Sequence, residues 1–521
     1  MAWADQRVFS VAKRASRKRK SERPEQGTDW RRIGLVAGLL LGLAVVVTAV
    51  HWPALHARAI SFDDHEYLVH NRLVLNPSLR SAWRFLSEVL EPSTVHGYYQ
   101  PLTMISLMLD TAMGGSVENL RPYHRTSLLL HAINTALVAG VLYRLFGHLW
   151  AACLVALLFG VHPMTVEPIP WIGERKTLLA ACFAFGAILA YLEAACLTPN
   201  PDAPARRRKR KGRRVSPRTA WLAASVGLYL LAVLSKPTSL PLPVCLLLLD
   251  YWPLGRMQRR AILEKIPYFV LAAVFAFITY ESQRRTAITV APGEWGDPMR
   301  IPYIIAHNII FYPATMLWPV NLSSHYPVPS PLDLTQTWVL VGVIGTIILI
   351  PALLCSLMWT PSLLTGWLFF FIAIFPTLGV IGFTNVIASD KYAYLPALGL
   401  LLPLCYWLGR LLDGSWLGLR DEARYAIAAG LLVVAAVESV ATRSYLQRWR
   451  DTRTLFEYMH ALAPESVVLN INLGLELARQ GDVAGAIRHY ETAIRNGPEY
   501  EGGPFNMGSL LLDIGQPDKA I

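Results

Sequence analysis

Apolar residues in this chain gather into long runs that no soluble core needs. The first run covers 33–50, and a polar stretch at 52–125 follows it, with one short apolar segment at 102–113. Further runs fall at 126–146, 149–163, 176–196, 219–235, 239–252 and 266–281. Four more follow at 336–358, 363–383, 392–412 and 425–442. Runs near 20 residues cross a bilayer as helices, because a helix satisfies its own backbone hydrogen bonds in lipid. The pattern predicts eleven spans. The stretch 302–319 is apolar but carries His307, Asn308 and Pro313, so it fits a further span or a helix lying in the interface.

After Arg443 the pattern changes. Asn472-Leu473-Gly474 returns as Asn506-Met507-Gly508, and Ala486-Ile487 returns as Ala520-Ile521. Pro464 and Pro498, and Phe456 and Tyr490, share the same 34-residue offset. That is the tetratricopeptide period. Small Gly474 and Ala478 admit a close helix approach, and Tyr490 is placed to fill the gap. The expected organisation is a basic tail at 1–32, a polytopic membrane domain at 33–442, and repeats at 443–521. The array is expected to be incomplete at residue 521 and readily exchanging beyond about residue 500.

Composition agrees. Charged residues make up 16% of the 521 and hydrophobic residues 54%, against about 25% charged in soluble domains. The net charge of +12 is concentrated: ten Lys/Arg lie in 1–32 and nine in 206–218. Such runs can bind nucleic acid or anionic lipid, but both abut apolar spans, where basic loops mark the cytoplasmic side. No nucleic-acid partner is expected. The run 33–50 is too long for a cleavable signal core and fits a signal anchor. The six cysteines lie in or at the edge of apolar runs without metal-ligand spacing, which argues against a zinc site or a disulfide framework.

Candidate chemistry gathers at span ends. Asp63-Asp64 follows the first span, with His65 and Glu66 behind. Paired carboxylates there can act as a general base or hold a metal ion. His162, Glu167 and Arg175-Lys176 follow the third span in a proline-broken stretch, where cations can grip an anion. Lys236 separates the fifth and sixth spans, and Asp390-Lys391-Tyr392 precedes a late one. Asp250 falls at the opposite end of its span and fits an interfacial anchor.

Taken together, these motifs resemble the transmembrane and tetratricopeptide-repeat glycosyltransferases, as a bacterial-type member. The resemblance runs from about residue 60 to the end. Its carriers are Phe62-Asp63-Asp64, Tyr98-Tyr99-Gln100-Pro101-Leu102, His131 with Asn134, and His162-Pro163 with Glu167, Trp171 and Arg175-Lys176. Lys236-Pro237, Leu249-Asp250-Tyr251-Trp252-Pro253, Trp318-Pro319-Val320-Asn321-Leu322, Asp390-Lys391-Tyr392-Ala393-Tyr394-Leu395-Pro396 and the repeats complete it. Gln100 and Thr177 depart from the family, which often has Arg or His, and commonly Asp, at those places.

The resemblance implies an all-α protein of the C glycosyltransferase fold class followed by an α-solenoid. It implies transfer of mannose or another hexose from a polyprenyl-phosphate sugar to a protein Ser/Thr hydroxyl outside the cytoplasm. Asp63 or Asp64 would be the base, the other acid orienting the acceptor or a divalent cation. Arg175, Lys176, Lys236 and Lys391 would hold the departing phosphate, supported by His162, Glu167, Asp390 and Tyr392. The repeats would present the protein acceptor. Two alternatives are a membrane-anchored repeat scaffold and a lipid-glycan polymerase or transporter. Eleven spans exceed what an anchor needs, and a transporter favours charge at mid-span. A multi-pass protein of the bacterial inner membrane is expected, with the N-terminus cytoplasmic. Parity then brings Asp63, His162, Lys236, Asp390 and the repeats to one extracytoplasmic face if 302–319 does not cross.

Overall fold

The computed structural model describes residues 30–197, 216–286, 299–379, 386–414 and 420–520. Residues 1–29 of the basic tail and 206–215 of the second basic run lie outside the described residues. Each of the eleven apolar runs overlaps a helix among the described residues; the end of the run 363–383 lies outside them. Among the described residues, seven helices are long and apolar enough to cross a membrane. These are α1 (Trp30–His51), α3 (Arg121–Phe146), α5 (Arg175–Cys196), α6 (Pro217–Ser235), α8 (Ile266–Thr286), α10 (Thr337–Ser356) and α13 (Asp421–Leu446). Four are shorter: α4 (Leu149–Val161), α7 (Leu242–Tyr251), α11 (Ser362–Ile374) and α12 (Ala397–Leu412). The chain is an all-α, multi-pass integral membrane protein. The polar stretch after α1 includes α2 (Pro101–Ala112), and α9 (Arg300–Leu317) precedes α10.

Local chemistry explains several boundaries. Gly147 takes φ 81°, which reverses the chain between α3 and α4. Pro163, Pro168 and Pro170 then keep the chain out of a regular helix until Arg175. The central helix is α5. Its Leu178, Ala181, Ala184, Phe185, Ile188 and Tyr191 are buried on one face, while Leu179, Cys182, Phe183, Gly186 and Leu189 on the other face are half-buried. Val433, Val437 and Val440 of α13 and Ile347 and Ile348 of α10 stay exposed, the pattern of a lipid-facing surface.

Contacts divide the bundle into two ends. At one end, Asp250 closes α7 and pairs with the buried Lys265 and, at 3.3 Å, with Arg256. Tyr191 donates to Asp250 there, fifteen residues along α5 from Lys176, or about 22 Å at the helical rise. The other end carries Asp63, Glu174, Lys236 and Asp390.

These two ends decide the course of α9. The chain leaves α8 against the 52–125 loop, with Arg285 2.8 Å from Glu91 and Gly97 N–H donating to Thr286 at 2.7 Å. It leaves α9 at the same end: Ser323 O accepts from Asp390 N–H, and Leu322 O accepts from Tyr458. The chain therefore stands at the same end of the bundle at Thr286 and at Leu322. Asn308, which a crossing helix would have to hide from lipid, donates to Ile387 O at 2.9 Å, and Gly342 of α10 lies against the His307 backbone. A two-stranded pair, β1 (Tyr326–Pro327) with β2 (Val386–Ala388), ties this segment to the stretch before Asp390.

Beyond α13 come α14 (Thr452–Leu462), α15 (Val467–Arg479), α16 (Val483–Asn496) and α17 (Gly502–Asp513). Asp451, Ser466 and Asp482 cap the first three with side-chain oxygens. A Cβ at Gly474 would stand 2.6 Å from the Tyr490 ring, so the close approach needs glycine. These helices rest on the same end of the bundle as Asp63.

Candidate active site

Asp63 and Asp64 are adjacent in sequence but differ in surroundings. A short turn begins at Asp63, whose carbonyl accepts Glu66 and Tyr67 N–H at 3.0 Å. The Asp63 side chain is 39% exposed, and Lys176 Nζ lies 3.1 Å from its Oδ2. Asp64 is fully buried. Its Oδ2 accepts from Ile60 N–H and its Oδ1 from Gly173 N–H, both at 2.8 Å. Burial raises its carboxyl to about 7, although these two N–H groups pull the other way. Asp64 therefore ties the loop to the 171–174 turn, while Asp63 faces outward. The pair does not fit a divalent cation, because both Asp64 oxygens are taken and an ammonium flanks Asp63. Among the described residues, no group of three His, Cys, Asp or Glu is placed to hold a metal.

Around Glu174 the structure gathers three lysines. Lys236 Nζ lies 2.9 Å from Glu174 Oε2, and Lys176 Nζ 3.4 Å from Oε1. Thr177 donates to Glu174 at 2.5 Å and accepts from Lys236 at 2.7 Å. The Lys391 backbone N–H and Nζ both donate to Glu167 at 2.9 Å, and its ammonium lies 4.3 Å above the Trp171 ring. Burial lowers Lys236 to about 8, against the pull of Glu174, so it is charged at neutral pH.

The lysines do different work. An ammonium has three N–H donors. Lys176 donates to Asp63 and Tyr67 and stands 3.4 Å from Glu174 Oε1. Lys236 directs two at Glu174 and Thr177, and Lys391 directs one at Glu167. Lys236, Lys391 and Tyr392 line a small open cavity whose other walls include Ala180, Ala181 and Ala373. The cavity thus has a cationic head and an apolar wall between spans.

Other sequence candidates lie elsewhere. Arg175 is not at the cavity. Its guanidinium is wholly buried, 2.7 Å from Asp110, and it also donates to Ser106, Ser127 and Tyr123 O. It braces α2 and α3 against α5 instead of offering N–H groups to an anion. Its neighbour Lys176 points a different way because consecutive helical residues are about 100° apart. His162 Nε2 contacts Met316 O at 2.9 Å and stands 3.9 Å from Glu438, away from the lysines. Asp390 is buried and accepts from Tyr326 at 3.0 Å and Tyr445 at 3.3 Å, so it fixes the segment that carries Lys391. Burial and the nearby Glu167 carboxylate raise its pKa.

Sequence reasoning gave no role to Glu174, Thr177 or Tyr67. Glu174 is the acid on which the cations converge. Its only sequence signal is a carboxylate beside two cations at the first turn of an apolar helix, a place where a lone acid needs a partner.

Comparison with known proteins gives a consistent picture. Protein O-mannosyl-transferase TMTC4 of Mus musculus is 24% identical over 483 residues, covering 82% of this chain and 62% of the relative. Protein O-mannosyl-transferase F38B6.6 of Caenorhabditis elegans is 22% identical over 466 residues, 84% of this chain and 60% of the relative. Protein O-mannosyl-transferase TMTC3 of Homo sapiens is 29% identical over 152 residues, 28% of this chain and 16% of the relative. The chain spans about 62% of the length of the TMTC4 relatives it matches. No family model and no solved structure matches it.

Proposed function

We propose that this chain is a membrane glycosyltransferase that moves a hexose, mannose in the first instance, from a polyprenyl-phosphate carrier to a protein Ser or Thr hydroxyl. The observation that carries this reading is the cationic head of the Lys236–Lys391 cavity, reached through Lys176 from a half-exposed carboxylate at Asp63. The relatives' names supply the sugar.

The geometry supports the following chemistry. The acceptor oxygen attacks the anomeric carbon and its proton passes to the Asp63 carboxylate. The bond from that carbon to the phosphate oxygen breaks, and its electron pair leaves with the lipid phosphate. Lys236 and Lys391 hold N–H donors where that negative charge grows, in a buried site where fixed charges count most. The apolar walls at Ala180, Ala181 and Ala373 suit the first isoprene units of the carrier. Lys176 holds Asp63 in register with the lysines. Asp64 positions the loop. The site face is outside the cytoplasm in this reading, as the basic runs 1–32 and 206–218 require of an N-terminus and a loop at the opposite end.

The test is a glycoproteomic comparison of host cells with the intact gene and with the Asp63→Asn allele. Loss of protein-linked hexose in the mutant is expected. An identical glycoprotein profile in both would overturn the assignment.

A further inference from the structure

The repeat helices touch the acid loop directly. Ser61 N–H donates to Thr452 Oγ1 at 3.1 Å, and the two hydroxyls lie 3.2 Å apart. Thr452 also donates to Ala59 O at 3.3 Å. Arg58 N–H donates to Arg450 O at 2.9 Å, and Arg479 donates to Ser61 Oγ at 3.1 Å. Phe62 stands edge-on to Phe456 at 4.8 Å and is tilted against Trp171 at 5.2 Å. Phe456 is fully buried and Trp171 nearly so. Residues 58–62 are thus clasped between α14–α15 and the 171–174 turn, and Asp63 is the next residue.

We propose that the first repeat helices set the position of Asp63: Phe456 and Thr452 are positioning residues for the transfer reaction, and the repeats are part of the active-site scaffold as well as an acceptor surface. This rests on the function proposed above. The physical reason is leverage. On the membrane side Asp64 and Phe62 hold the loop to the 171–174 turn, Lys176 pairs with Asp63 and His124 contacts Ala57 O, whereas five hydrogen bonds and the Phe62–Phe456 contact join it to the repeat side. A displacement of about 1 Å at a reacting group costs about 100-fold in rate. A repeat array that only displayed an acceptor would not need to clasp the residues beside the base.

The test uses the full chain in lipid vesicles, a short-chain polyprenyl-phosphate hexose, and a short Ser/Thr peptide too small to need the repeat surface. Phe456→Ala should lower kcat by about 10- to 100-fold with donor KM unchanged. It should also raise amide exchange at residues 58–66. Phe456→Leu should recover most of both, and Phe505→Ala, on the exposed face of α17, should change neither. If Phe456→Ala does not accumulate, Thr452→Val serves, since it removes the hydroxyl and keeps the shape. Unchanged kcat with the short peptide, or unchanged exchange at 58–66, would overturn the proposal. So would a rise confined to the KM of a protein acceptor. If the unmodified protein transfers no sugar, the function reading fails, and loop exchange alone decides the positioning claim.

Discussion

Lys176 Nζ lies 3.1 Å from Asp63 Oδ2, a contact between residues 113 positions apart in sequence. The same ammonium reaches Glu174 at 3.4 Å, so one side chain links the outward-facing acid to the acid shared with Lys236. The proton-accepting and phosphate-holding halves of the proposed reaction meet there.

Lys236→Ala and Lys391→Ala should raise the KM for a polyprenyl-phosphate donor while leaving the KM for the acceptor peptide near its original value. Arg175→Ala should behave differently. Removing one partner of a buried pair costs about 3–5 kcal/mol, so that protein should unfold earlier and accumulate poorly. Donor titrations combined with thermal unfolding separate the two outcomes. A stable Arg175→Ala protein with a selectively weakened donor KM would restore Arg175 to the phosphate site.

Asp64 makes stability depend on pH. Burial raises its folded carboxyl from 3.8 to about 7. Because the folded value is the higher one, its contribution is complete below about 4 and is lost as pH rises through 7. The unfolding midpoint of the unmodified protein should fall between about pH 4 and 7 and level off above that. Asp64→Asn, which cannot ionise, should flatten that fall. Parallel slopes for the two proteins would contradict this account.

Gly474→Val should loosen the repeats. The added carbon meets Tyr490 at 2.6 Å, and overpacking of this kind costs about 1–3 kcal/mol. Faster amide exchange in α15 and α16 is the expected result. Unchanged exchange there would mean that the helices separate without cost.

The repeats and the acid loop should lie on one side of the membrane, outside the cytoplasm. Arg80→Cys and Glu499→Cys, each alone in a cysteine-free chain, should both react with a membrane-impermeant maleimide in intact cells. Reaction at position 80 but not at 499 would contradict the contacts from Phe62 and Ser61 to the repeat helices.

The sequence showed the spans because apolar length is nearly the whole of the membrane signal. The close helix approach at Gly474 was legible too, since a Cβ there would stand 2.6 Å from the Tyr490 ring. Pairing across the bundle was not legible. Nothing local says that Glu174 receives Lys176 and Lys236, since those contacts depend on how α5 docks on α6. Arg175 looked like a phosphate ligand because it adjoins Lys176, yet adjacent helical residues face different partners. The course of 302–319 stayed open for the same reason. Asn308 and His307 are costly in lipid and unremarkable against protein, and only the contacts of Arg285, Ser323 and Leu322 show which surface they meet.

The central claim is most directly tested by initial-rate transfer in vesicles. The full chain would be supplied with polyprenyl-phosphate mannose and a Ser/Thr peptide, beside Asp63→Asn. The account predicts peptide-linked mannose with the unmodified chain. It predicts a rate about 100- to 10,000-fold lower for Asp63→Asn, the usual worth of a general base, with an unfolding midpoint close to the original because Asp63 is 39% exposed. Equal rates for the two proteins would contradict it.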